Sequence, residues 1–165
     1  MKINNVRKLK EMKIGIPKGL MYYNYDVFIT KFLDELNIET IKSPDTNKDI
    51  LNLGVKYSID EACLPIKIFH GHVAWLRDKC DLIIIPRIMK SESGKYICPK
   101  FCGLPETIKA DIPSLPEITF DPLYLNSKKK VYKWCKKLVS NVEKRNTKIQ
   151  NAFEKALLSH NTNSK

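Results

Sequence analysis

At 165 residues and 19.1 kDa, the chain is long enough for one domain with a proper apolar core and too short for two comfortable ones. Of its net charge of +11, residues 128–165 contribute +9 through eleven lysines and arginines against two glutamates, so the body of the chain is nearly balanced. The polar first eleven residues and the short longest apolar run, from Leu82 to Pro86, exclude a signal-peptide or membrane-spanning pattern, and we expect a cytoplasmic protein.

The first 122 residues alternate short β-rich runs with longer helical ones, which is typical of βα units around a parallel sheet. In chain order the pattern predicts a strand at 12–17, a helix at 22–37, a strand at 38–43, helices at 45–58 and 65–79, a strand at 81–88, a short helix at 104–111 and a strand at 117–122. The sequence therefore predicts an α/β fold, a single three-layer domain around a mainly parallel four-stranded sheet of the Rossmann or flavodoxin type.

The basic C-terminal region differs from this body because it contains no glycine or proline from Leu123 onward. Its apolar residues recur at steps of three and four, which predicts one long amphipathic helix over 123–159. We expect four parts: a polar N-terminal segment (1–11), the α/β domain (12–122), the basic helix, and a disordered tail (160–165).

Five cysteines, an odd number without an export signal, indicate reduced thiols rather than a disulfide scaffold. Cys80 precedes the 81–88 strand, at the amino edge of the sheet, and Cys135 lies in the apolar stripe of the basic helix. Both positions favour small buried apolar side chains, because free cysteine is among the most buried residue types.

Cys63 and Cys98 are expected at the opposite, carboxyl edge of the sheet, where parallel α/β domains carry their functional loops. The helix after Cys63 must return to the start of the 81–88 strand, and Cys98 follows the loop that leaves this strand. In each segment a proline and then a lysine follow the cysteine, which makes Lys67 and Lys100 candidate contacts of a bound group. A helix start and a nearby ammonium stabilise a thiolate, so the two thiols are candidate metal ligands.

Cys102 completes a Cys-x3-Cys spacing with Cys98, which matches neither a zinc ribbon nor a ferredoxin. If a third thiolate is needed, it comes from Cys102 or from a partner. An i,i+4 pair shares one side of a helix, whereas the neighbouring prolines and glycine oppose a helix there. Both readings stay open on the sequence.

Four segments together resemble the activase-related domain of the 2-hydroxyacyl-CoA dehydratase and benzoyl-CoA reductase iron–sulfur family. They are "IGIPKGLMYYNY" (14–25), "SPDTNKDILNLGVKYSIDEACLPIKIFHGHV" (43–73), "DLIIIPRI" (81–88) and "YICPKFCGLP" (96–105). The resemblance covers most of residues 12–122 and leaves the basic tail outside. It implies a [4Fe–4S] cluster held by cysteines, here Cys63 and Cys98 with Cys102 as the third candidate.

The resemblance also implies partners: a second dehydratase-like subunit or a homodimer partner, and an ATPase activator protein that delivers single electrons. If the chain is catalytic itself, it is a subunit of a 2-hydroxyacyl-CoA dehydratase-type lyase. It is not predicted to be the ATPase, because its six glycines form no phosphate-binding cluster and Gly19 is not followed by Lys-Ser/Thr.

Two other interpretations are weighed against this one. His70 and His72 could form a metal-binding pair on a strand, but on a helix they point about 200° apart, which favours surface or half-buried histidines. Nucleic acid is disfavoured because no groove-reading motif is present. The competing functional hypothesis is a cluster-free α/β scaffold that docks a partner through its basic C-terminal helix.

Overall fold

The computed structural model describes residues 12–91 and 93–163, so the predicted polar segment 1–11 lies outside the described residues. The strands are β1 (Lys13–Ile16), β2 (Glu39–Lys42), β3 (Leu82–Ile83), β4 (Arg87–Lys90), β5 (Glu117–Ile118) and β6 (Pro122–Tyr124). The helices are α1 (Tyr22–Glu35), α2 (Lys48–Tyr57), α3 (Leu64–Leu76), α4 (Leu104–Asp111), α5 (Lys128–Leu138) and α6 (Asn146–Asn163), with a 3₁₀ helix at Pro99–Phe101.

The main sheet has four strands in the order β2-β1-β3-β5, and every pairing is parallel. Its strands alternate sides with the pleat: Leu82 and Ile84 face one apolar cluster, and Ile83 and Ile85 face the other. Helices α1, α5 and α6 pack on the first side and α3 and α4 on the second. The predicted α/β fold with a parallel four-stranded sheet is therefore confirmed.

The predicted strand 81–88 is central, as expected, but it divides in two. β3 lies between β1 and β5, whereas β4 leaves the main sheet and pairs with β6 in a separate parallel ribbon. Pro86 stands between them and has no N–H to donate. Just before Pro86, the Thr119 hydroxyl replaces a neighbouring strand as the hydrogen-bond partner of Ile85. It accepts from the Ile85 N–H and donates to the Ile85 C=O, both at 2.9 Å.

The prediction of one helix over 123–159 is wrong in its continuity, because the region begins in β6 and then forms α5 and α6. Ser140, Asn141 and Asn146, which have weak helix propensity, lie in or beside the break. Breaking the helix lets α6 fold back onto α1, with the Phe28 and Phe153 rings edge to face at 5.6 Å. The last helix continues to Asn163, so most of the predicted disordered tail is helical.

Helices α2 and α3 pack in close contact through two glycines. A Cβ atom built on Gly54 would overlap the backbone carbonyl of Lys67, and one on Gly71 would overlap that of Ile50. Only glycine, which has no Cβ atom, permits the two backbones to approach this closely. The close packing fixes α3, whose first residue follows Cys63, against the rest of the domain.

Candidate functional site

Cys63 is the N-cap residue of α3, and its side chain is exposed. Its extended backbone and Pro65 in the first turn start the helix, and its carbonyl accepts hydrogen bonds from the N–H groups of Ile66 and Lys67. No side chain caps this helix start. The thiol therefore lies beside the positive end of the helix dipole.

Cys98 and Cys102 bracket the 3₁₀ helix Pro99–Phe101, and both are exposed. The Cys98 carbonyl accepts from the Phe101 N–H at 3.1 Å, and the Cys102 N–H donates to the Pro99 carbonyl at 3.0 Å. A new helix, α4, begins directly after Gly103 without a side-chain cap. The two cysteines thus flank one tight turn between β4 and α4 and do not share an α-helix.

The two cysteine segments meet at one cavity of about 230 Å³. Both the chain around Cys63 and the chain after Cys98 contribute to its lining, which consists of Ile59, Glu61, Ala62, Ile66, His70, Pro99, Lys100, Gly103, Leu104, Thr107 and Asp111. The two segments therefore meet at this cavity, but Cys63, Cys98 and Cys102 are not among the residues that line it. Lys100 lies on the cavity wall, whereas Lys67, one turn into α3, does not line it.

His70 forms a buried part of this cavity. Its side chain is fully buried, with Nδ1 2.8 Å from the Ile66 carbonyl and Nε2 3.1 Å from Asp111 Oδ2. Each ring nitrogen therefore lies within hydrogen-bond distance of an oxygen that can accept. The contact connects α3 to the last residue of α4, and these are the helices that follow the two cysteine segments.

His72 forms a second buried polar cluster, at the carboxyl ends of β1 and β2. Its Nδ1 lies 2.9 Å from the Ser43 hydroxyl and its Nε2 3.1 Å from the Thr46 hydroxyl. Ser43 also accepts the Lys18 N–H at 2.8 Å. Burial lowers the pKa of His72 to about 4, with the Lys18 charge adding to the effect, so the ring is neutral near neutral pH.

The two histidines therefore have separate partners, as expected for residues two apart on a helix. The expectation that they lie at the surface or half-buried is wrong, since both are fully buried. Their side-chain hydrogen-bond partners lie 26 to 41 residues away in sequence. Only the acceptor-rich segment "SPDT" at 43–46 could have indicated such a partner for His72.

The described residues 12–91 and 93–163 contain no group of three or more histidine, cysteine, aspartate or glutamate side chains that could hold a metal ion. Cys63, Cys98 and Cys102 thus do not form a preassembled single-ion site. Cys135 is fully buried and Cys80 half-buried, as expected for apolar roles, and burial raises the pKa of the Cys80 thiol to about 11. Within the same residues, no helix is both long and apolar enough to cross a membrane.

The fold and site define a parallel α/β domain in which three exposed cysteines lie in segments next to helix starts. A family model described as the CoA enzyme activase uncharacterised domain matches residues 13–165, and the chain belongs to this family. The match includes α5 and α6, which the sequence resemblance had left outside. No curated protein and no solved structure matches the chain significantly.

Proposed function

We propose that the protein is an iron–sulfur redox component of an acyl-CoA dehydratase-like system, and that Cys63 and Cys98 bind its cluster. The observation that carries this proposal is the shared cavity: two segments 35 residues apart in sequence, each with an exposed thiol at a helix start, line the same 230 Å³ space. Exposed thiols are unusual for purely structural cysteines, which are mostly buried.

The donor set suits a [4Fe–4S] cluster better than a single ion. Cluster ligands are soft thiolates, and the cluster occupies the space between them, so the thiols need not lie together as they would around one metal ion. Lys100 on the cavity wall and the uncapped starts of α3 and α4 provide positive charge for an anionic cluster. When bound, such a cluster supplies single-electron transfer.

Cys102 is the proposed third ligand within the chain. It lies four residues after Cys98, on the other side of the 3₁₀ helix, and Gly103 after it leaves room for the backbone to adjust, since a Cβ there would meet no described atom within 4 Å. The alternative third ligand is a thiolate of a partner subunit. This choice decides whether the isolated chain can hold a cluster.

The partner is proposed to be a CoA enzyme, in keeping with the family's description. A second dehydratase-like subunit or a second copy of this chain would complete the cavity, and an ATPase activator would deliver electrons to it in the cytoplasm. The chain is proposed to accept these electrons rather than to hydrolyse ATP.

Anaerobic purification and cluster reconstitution test the proposal. We expect iron and acid-labile sulfide to bind in equal amounts, with broad visible absorption and an electron paramagnetic resonance signal after reduction. Cys63→Ser and Cys98→Ser should each abolish this signal, and Cys102→Ser should abolish it only if the third ligand belongs to this chain. Cys80→Ser is the matched control, because this half-buried thiol precedes β3 and its S–H donates to the Leu76 carbonyl within the fold.

A Cys63→Ser variant that keeps its cluster unchanged would overturn the assignment. No bound iron and sulfide after reconstitution, either alone or with the co-purifying partner, would instead favour the cluster-free scaffold. That second candidate predicts that the Cys63→Ser, Cys98→Ser double variant still captures its partner.

A further inference from the structure

We propose that one face of α5 is a docking surface for an acidic segment of a partner protein. We call it the lysine face, and define it as Lys128, Lys129, Lys133 and Lys136, four exposed residues of α5 (Lys128–Leu138). This inference does not depend on a bound cluster, because the lysine face is on the helix layer that carries none of the cavity-lining residues.

The lysines of α5 are electrostatically unfavourable within the helix itself. Six of its eleven residues are lysines and none is acidic. Three lysines occupy the first turn, where the partial positive charge of a helix start disfavours cations, and Lys129 and Lys133 form a like-charge i,i+4 pair. A helix that retains such repulsion gains from an anionic surface outside itself, so the arrangement indicates a partner of opposite charge.

The fold does not neutralise the lysine face. Partners are found only for the other two lysines of α5 among the described residues: Lys137 pairs with Asp121 at 2.6 Å, and the Lys130 ammonium lies 4.0 Å from the centre of the Tyr124 ring. In the part of the chain that the structure describes, the four residues of the lysine face form no ion pair. They remain free to meet carboxylates of another molecule.

The lysine face also has a defined orientation. Trp134 and Cys135 of the same helix are buried in the core, which fixes the rotation of α5. At 100° per residue, Lys129, Lys133 and Lys136 fall within an arc of about 60° and extend over about 10 Å along the helix axis. These three lysines thus form a short strip on a helix whose rotation is fixed by the core.

An acidic protein segment fits this strip better than a membrane or a nucleic acid. Insertion into a membrane needs the apolar face of the helix, which is already buried by the core. Binding of single-stranded nucleic acid relies on exposed aromatic rings, but Trp134 is buried and the Tyr132 ring packs edge to face against Phe153 at 5.1 Å. Lysines alone, without arginine forks, suit point-charge pairing with carboxylates.

Fluorescence anisotropy on the full chain tests the inference, with a labelled oligoglutamate peptide and a single-stranded oligonucleotide of equal charge as probes. The test variant replaces all four residues of the lysine face with glutamine. The matched control carries the same charge change at Lys48, Lys56, Lys79 and Lys109, which are exposed, lie outside α5 and form no ion pair among the described residues. Circular dichroism verifies that both variants are folded.

We expect salt-sensitive binding of oligoglutamate that weakens at least about tenfold in the test variant and less than about threefold in the control. Equal weakening in both variants would show that net charge alone is responsible and would overturn the proposal. Tighter binding of the oligonucleotide, lost in the test variant, would overturn it in favour of nucleic acid. Absence of binding to either probe at low salt would overturn it as well.

Discussion

His70 Nε2 lies 3.1 Å from Asp111 Oδ2, and this contact connects two helices that each begin next to a candidate cysteine ligand. His70 is fully buried, and the Asp111 side chain is one-fifth exposed. The pair therefore stabilises the cavity between the cysteine segments. His70 is the buried partner, and water cannot replace its hydrogen bond to Asp111.

The first prediction concerns this pair. Asp111→Ala removes the partner of a buried ring nitrogen and should lower the free energy of unfolding by about 1–3 kcal/mol. Asp111→Asn should cost less, because its amide can donate to Nε2 while the ring still donates its Nδ1–H to the Ile66 carbonyl. Urea unfolding measures both values. Equal losses in the two variants would contradict the role assigned to this hydrogen bond.

The second prediction concerns the contact between α2 and α3. A methyl group at Gly54 or Gly71 would overlap a backbone carbonyl of the other helix, which cannot move aside as a flexible side chain can. Gly54→Ala and Gly71→Ala should each lower the free energy of unfolding by about 3 kcal/mol or more, at the upper end of the cost of overpacking. Thermal and urea unfolding give the measurement.

Gly103→Ala is the matched control for these two variants. Its φ of −93° suits any residue, and a Cβ there meets no described atom within 4 Å. As it is the N-cap of α4, where alanine is less favourable than glycine, we expect a loss of about 1 kcal/mol or less. A Gly54→Ala protein as stable as the Gly103→Ala protein would show that the two helices are not in close backbone contact.

The sequence predicted the main sheet well, because each strand of the body carries its own local signal. "MKIGIP" and "IETIKS" contain β1 and β2, and α4 was predicted at 104–111, where it lies. The break at Val139 to Arg145 had only a weak local signal, the low helix propensity of Ser140, Asn141 and Asn146. Packing of α6 against α1 decides that the chain turns back there. The local sequence pattern therefore predicted that the C-terminal region is helical and missed the turn between α5 and α6.

The candidate site was partly predictable for the same reason. The meeting of the Cys63 and Cys98 segments at one cavity could be predicted from topology, because the carboxyl ends of parallel strands lie at one edge. The partners of His70 and His72 lie far away in sequence, on α4 and after β2, so no local spacing marks them. The close contact at Gly54 and Gly71 likewise appears only once the two helices are packed.

The third prediction concerns pH. The pKa of His72 is about 4 in the folded protein against about 6.5 when exposed, so between these values the unfolded chain binds more protons. The contribution of His72 to the free energy of unfolding should be at its maximum above pH 6.5. It should decline by up to about 3 kcal/mol as the pH falls towards 4. In His72→Gln, the free energy of unfolding should fall less steeply over this range. An unchanged slope would contradict the assignment of this dependence to His72.

The fourth prediction concerns the five thiols. Cys63, Cys98 and Cys102 are exposed, whereas burial raises the pKa of Cys80 to about 11 and raises that of Cys135 further. Since the thiolate is the reactive form, a pKa of 11 instead of the usual value of 9 lowers the reactive fraction of Cys80 about a hundredfold at neutral pH. Under native conditions, an alkylating reagent should therefore label three cysteines quickly and two slowly.

Peptide mass spectrometry of the alkylated protein identifies which thiols react. Labelling of Cys80 should rise about tenfold per pH unit until the pH approaches 11, because each unit raises its thiolate fraction by that factor. Unfolding in urea should make all five cysteines react at similar rates, which serves as the control for reagent access. If Cys80 reacts as fast as Cys63 in the folded protein, the separation into three available and two protected thiols is wrong. The proposed ligand set would then lose the exposure difference on which it depends.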